Sequence, residues 1–185
     1  MKKIGYIIPN FDDGGMPRVL ETLSLSLKDD EYEQYLIVLI KGRKFNFKCN
    51  AKIIEVIEEG HSVGSKIITF LQRIKKIKGI KKELKFDCVV SFGVTANIIN
   101  IVSRKDEKVV ISEHSLKSAE HKKWGYYGKM YDLLIKNFYN AADKIIVVSK
   151  LIGEDLAENY NINHNKIEVI YNGVDIKFIN NAKTC

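Results

Sequence analysis

Cysteine is scarce in this chain: three residues out of 185, at Cys49, Cys88 and Cys185. They are odd in number, far apart and without a CxxC spacing, which excludes a disulfide framework and a structural zinc cluster. A reducing cytoplasm is the setting they fit. There are only two prolines and no Ser/Gly-rich tract, so neither a disordered region nor a long internal linker is expected. No run approaches the roughly 20 apolar residues needed to span a bilayer. Met1-Lys2-Lys3 leads into apolar residues, but Pro9, Asn10, Asp12 and Asp13 end that run early, and it reads as a first strand rather than a signal peptide. The first loop carries neither G-x-G-x-x-G nor G-x-x-x-x-G-K-[ST], which disfavours a dinucleotide or P-loop site. No internal repeat is present.

What is present is an ordinary globular composition, 45% hydrophobic and 29% charged, in a chain long enough for one well-buried domain. Apolar β-rich runs at 3–8, 35–40, 52–57, 87–92, 108–112, 144–148 and 166–171 alternate with helical patterns at 17–28, 65–85, 95–103, 124–141 and 151–159. Continuous runs such as Ile145-Ile146-Val147-Val148 suit strands covered on both sides. The expected fold is α/β: a Rossmann-like, doubly wound, mostly parallel sheet with helices on both faces. In that architecture ligands bind beyond the carboxyl ends of the strands, at loops 9–18, 91–97, 112–124 and 149–152 here.

The first of these loops holds Gly14 and Gly15, followed by Pro17 and Arg18 at a helix start. Paired glycines let backbone N–H groups approach an anion at a helix N-terminus, and Pro17 suits the first helical turn. An ordinary strand-to-helix turn is the alternative. Other strand ends bring Asn97, then Glu113 and His114, then Ser149, which also reads as a helix N-cap. Trp124 and Tyr126, near the His114 loop, join them as cleft candidates. His61, His121 and His164 lie in polar surroundings and read as surface residues. Asp12-Asp13 reads as a turn rather than a Mg²⁺ site, because no aspartate stands at Ser91-Phe92-Gly93 to complete one. No metal is expected.

The positive charge is local. Residues 66–85 hold eight Lys or Arg against Glu83, a balance equal to the +7 of the whole chain. Ile67, Leu71, Ile74, Ile77, Ile80 and Leu84 recur there at helical spacing. A basic amphipathic helix is drawn to anionic lipid, with Arg73, Lys75, Lys76, Lys78, Lys81 and Lys82 as candidate contacts. A solvated outer helix is the alternative. Nucleic acid is disfavoured because aromatics are not interleaved for stacking.

Four blocks together resemble glycosyltransferase family 4. They are Gly14-Gly15-Met16-Pro17-Arg18-Val19-Leu20; Val109 to His114; Tyr139 to Ser149, which contains Ala142-Asp143; and Lys166 to Asp175, which contains Asn172-Gly173-Val174-Asp175. The resemblance implies one half of the two-domain GT-B architecture, and residues 1–175 would form its N-terminal, acceptor-side domain. Residues 176–185 would begin an interdomain linker or form a disordered tail, with the donor domain and its E-x7-E pair lacking. It implies retaining transfer from a nucleotide-sugar, a co-substrate rather than a cofactor, to a glycan or lipid-linked acceptor in cell-surface polysaccharide assembly. Gly14, Gly15 and Arg18 would face the donor diphosphate, and His114 would be the catalytic residue touching the transferred sugar. The chain alone would be inactive, working with a complementary donor domain at the cytoplasmic face of the membrane. A non-catalytic recruiting subunit and a small-ligand α/β module are the alternatives.

Overall fold

A computed structural model describes residues 1–10, 15–40, 48–57 and 63–173, the side chains of 63–66 excepted. Gly14, Asp12, Asp13, His61 and the 176–185 segment lie outside the described residues.

Seven parallel strands form one sheet in the order β3-β2-β1-β4-β5-β6-β7. They are β1 (Lys2–Ile8), β2 (Tyr32–Ile40), β3 (Lys52–Ile57), β4 (Cys88–Phe92), β5 (Lys108–Glu113), β6 (Lys144–Val147) and β7 (Ile167–Val169). The helices are α1 (Gly15–Ser26), α2 (Val63–Leu84), α3 (Val94–Val102), α4 (Lys117–Lys122), α5 (Tyr126–Phe138) and α6 (Lys150–Tyr160). All seven expected strands are present, β3 with the expected bounds and the other six with shifted ends. β2 begins earlier because Tyr32-Glu33-Gln34 continues the ladder against Lys2, Lys3 and Ile4.

Alternation along each strand sorts the helices between the two faces. Tyr6, Ile8, Leu36, Val38 and Phe92 pack under α1, whereas Ile7, Ile37, Leu39 and Val89 pack under α2 and α3. Val109 lies beside Val89 in the ladder, so the core under α5 and α6 continues the α2–α3 side. The layering is therefore uneven: among the described residues, α1 alone covers one face. Chain direction reverses between β1, which leads to β2, and β4, which leads to β5. That switch opens a crevice beyond the two strand ends.

α4 lay in an expected loop. It has six residues, and its buried positions are Lys117 and His121, polar residues at i and i+4 that give no apolar signal. Gly128 is what lets α5 pack on it: a Cβ there would sit 1.9 Å from the His121 carbonyl oxygen. Gly128→Ala must push two backbones apart, and overpacking of this kind costs about 1–3 kcal/mol. The expected result is a lower urea midpoint and a changed near-ultraviolet signal from Trp124, which stacks on His121.

α2 is turned differently from the sequence reading. Ile67, Ile68 and Leu71 are exposed, while Arg73, Ile77 and Lys81 form the inward stripe. Arg73 and Lys81 are thus not available to a membrane surface. Lys81 turns inward because Glu107 waits there, 2.7 Å from its amine. The sequence pattern weighed apolar spacing alone, and a distant counter-charge overrode it.

Candidate functional site at the strand ends

The crevice is built from three chain segments. β1 ends at Ile8, and α1 starts at Gly15, where a Cβ would meet no atom of the described residues within 4 Å. β4 is followed by Gly93, whose φ of +82° strongly favours glycine. A Cβ at Gly93 would lie 3.8 Å from both Met16 and Pro9, so this turn abuts the β1–α1 connection. Next to it, the Phe92 ring stands 5.8 Å from the ring of His114, centroid to centroid. The topology therefore brings the start of α1, Gly93 and His114 to one edge.

His114 is half-buried at the end of β5, and its Nε2 lies 2.9 Å from Ser112 Oγ. Burial, then the positive charge of Lys117, holds its pKa below the ordinary histidine value. At neutral pH it is an uncharged imidazole, able to give or take one hydrogen bond.

Beneath it runs a buried polar network. Asn97 Nδ2 donates to Glu113 Oε1 at 2.8 Å, and Ser91 Oγ donates to Asn97 Oδ1 at 2.8 Å. The Tyr139 hydroxyl also donates to Glu113 Oε1. Burial, then Glu113, raises the Tyr139 pKa well above the usual phenol value, so this proton stays in place. The other Glu113 oxygen lies 3.0 Å from the Lys117 amine, which also pairs with Glu120 at 3.1 Å. Burial pushes the Lys117 pKa down, but the two carboxylates outweigh it and the net direction is upward.

Asn97 and Glu113 are wholly buried. Both were expected in the cleft. The structure places them behind it, bracing β4, β5 and α4, with no surface through which an acceptor could touch them. Ser149 is a helix cap, its Oγ accepting from the Ile152 N–H at 3.3 Å. Arg18 is exposed on the first turns of α1. Trp124 and Tyr126 are exposed, by 45% and 82%, and Trp124 packs on the His121 ring at 5.0 Å.

His121 is a second correction. Its side chain is wholly buried, with Nδ1 2.7 Å from Asp132 Oδ1, and the Tyr160 hydroxyl donates to the same oxygen at 2.7 Å. The signal for this triad was absent locally, because its members come from three helices.

The profile of Glycosyltransferase Family 4 matches residues 13–178. A Campylobacter jejuni protein, N-acetylgalactosamine-N,N'-diacetylbacillosaminyl-diphospho-undecaprenol 4-alpha-N-acetylgalactosaminyltransferase, is 29% identical over 97% of this chain and 50% of its own length. Among solved structures, the apo form of the lipopolysaccharide outer core galactosyltransferase WaaB is 19% identical with a TM-score of 0.67, covering 94% of this chain and 46% of that one. Anabaena HepE in complex with UDP gives 17% identity and a TM-score of 0.67, covering 96% and 45%. The chain thus spans about half the length of these relatives.

Proposed function

The chain belongs to glycosyltransferase family 4, and on that premise we propose that it supplies the acceptor side of a retaining sugar transfer from a nucleotide-sugar to a lipid-linked glycan. The observation that carries this reading is the juxtaposition at the strand ends: Gly93 abuts Met16 at the start of α1, and Phe92 beside it stands against an uncharged His114. The chemistry must stabilise a departing nucleoside diphosphate next to a cationic sugar. N–H dipoles at the start of α1, from Gly15 onward, face the diphosphate, and Arg18 adds charge at the rim. His114 meets the transferring sugar as a neutral hydrogen-bonding group. Trp124 and Tyr126 offer exposed aromatic surface to a sugar or lipid. The Campylobacter relative, named for a diphospho-undecaprenol-linked saccharide, supports an acceptor of that class.

The groups opposite this crevice come from a second domain in this reading, and the chain alone turns over no donor. Incubation with nucleotide-sugars and a lipid-diphosphate saccharide, read by acceptor mass, tests this. Transfer is expected only when a complementary donor domain is added; turnover by the 185 residues alone overturns the proposal.

We also propose that α2 rests on an anionic membrane. The exposed Ile67, Ile68 and Leu71 stand on the same helix as the exposed Lys75, Lys76, Lys78 and Lys82. Each lysine near such a surface contributes about 1 kcal/mol. No described helix is long and apolar enough to cross a membrane. Co-sedimentation with phosphatidylglycerol vesicles, reduced when these four lysines become glutamine, is the expected result. Equal pelleting with phosphatidylcholine would remove the idea.

A further inference from the structure

His114 is carried by a connection of three residues, 114–116, between the end of β5 and the start of α4. One side chain spans that connection. The amine of Lys117, the first residue of α4, lies 3.0 Å from Glu113 Oε2, 2.9 Å from Ser115 Oγ and 3.1 Å from Glu120 Oε2. An ammonium group has three N–H donors, and three oxygens surround this one. Ser115 Oγ donates in turn to Glu120 Oε2 at 2.6 Å, which closes the cluster.

Both ends of the cluster are anchored in the body of the domain. Glu113 is held by Asn97 and Tyr139 through its other oxygen. The first turn of α4 is tied to α6, where Asp155 Oδ2 accepts from the Ser118 N–H at 3.2 Å. The Lys117 side chain is 7% exposed and that of Glu113 is fully enclosed. Desolvating such a pair offsets most of what its attraction returns, so stability is a weak account of it. What the pair supplies is geometry. Glu113 and Ser115, the two chain neighbours of His114, are both fixed to one buried ammonium group.

We propose that Lys117 is the positioning residue of the strand-end site: it fixes the chain on both sides of His114 and so sets where the imidazole stands in the crevice. This rests on the reading of His114 as the group that meets the transferring sugar. Ser112 Oγ, 2.9 Å from Nε2, and the Phe92 ring then settle the ring itself. The ammonium group also acts through its charge. After burial, it is the Lys117 charge that disfavours a proton on His114, while Glu113 and Glu120 are engaged by the lysine itself.

Histidine NMR on the 185-residue chain tests this without a donor domain. The His114 ring signal is the one, among four histidines, that His114→Ala removes. In Lys117→Met it is expected to titrate at a higher pH than in the unaltered chain, because a positive charge has left its side. Lys117→Arg keeps the charge and should return the titration toward its original position. If circular dichroism shows that Lys117→Met does not fold, Lys117→Met with Glu113→Gln removes both charges of the pair, and the same upward shift is expected. With the complementary donor domain present, Lys117→Met should lower kcat about ten- to a hundredfold with KM little changed, the mark of a misplaced group. The acid limb of its pH–rate profile should move to higher pH. A lysine that only stabilises the fold would leave the titration and the limb in place, and that result overturns the positioning role even where transfer occurs. A shifted titration with no transfer by any assembly places Lys117 as argued and overturns only the sugar-transfer reading.

Discussion

Glu107→Gln is expected to remove about 3–5 kcal/mol of stability at neutral pH, the cost of leaving a buried charge without its partner. The Lys81 amine is fully enclosed and has three contacts: Asn100 O at 2.8 Å, Asn100 Oδ1 at 2.7 Å and Glu107 Oε1 at 2.7 Å. Of these only Glu107 is charged, and its second oxygen accepts from the Lys105 N–H at 3.1 Å. A glutamine amide cannot serve both sides, because its NH₂ must face either the Lys81 amine or the Lys105 N–H, and both are donors. The effect has a pH signature. Burial pushes the Lys81 pKa down to about 8, although Glu107 pulls it up. A lysine depressed in the fold contributes stability that is greatest in alkali and is lost as pH falls through the folded value. The native ion pair offsets part of that loss; the variant cannot. The deficit should therefore be full at pH 7 and shrink toward pH 9–10, where the folded amine is neutral in both proteins. Urea midpoints at the two pH values check this, and a pH-independent deficit would show that charge is not the cause. Glu33→Gln is the control: it removes the charge opposite Lys3 and Lys52, whose own amines reach solvent, keeps an amide oxygen to accept from the Tyr35 hydroxyl, and should cost far less.

His114→Ala, assayed with the complementary donor domain proposed above, is expected to lower kcat by about 10²- to 10³-fold with little change in KM for the nucleotide-sugar. That split identifies a contact made chiefly in the transition state. Ser112→Ala should follow with a smaller loss, since it frees the ring that Ser112 Oγ holds at 2.9 Å without removing it. The sign of the pH effect follows from the depressed pKa. Below the unfolded value of about 6.5 the unfolded chain takes a proton that the folded one refuses. The contribution is present above that value and disappears as pH falls through the folded pKa. Activity should hold flat through neutrality and fall only on the acid side, and His114→Ala should remove the matching part of the acid destabilisation. Unaltered kcat in His114→Ala would sink the proposed role.

Two parts of the architecture differ in how readable they were. The strands were legible because continuous apolar runs such as Leu36 to Leu39, buried on both faces, are local features. The cap at Ser149 was legible for the same reason, as it is written within a few residues. The roles of Asn97 and Glu113 were not. Both sit at strand-end positions that suit a cleft, and only the partners Ser91, Tyr139 and Lys117 show that they face inward.

By itself, then, the sequence determined the parallel α/β sheet, its helices and the strand-end edge where His114 stands, because periodicity and turn chemistry act over short spans. The tertiary structure decided which charges are surface and which are core. Lys81 and Arg73 turned inward, and His121 closed over Asp132. The reason is physical. Burying a charge is governed by the partner that meets it, and Glu107 lies 26 residues from Lys81, beyond the reach of any local pattern.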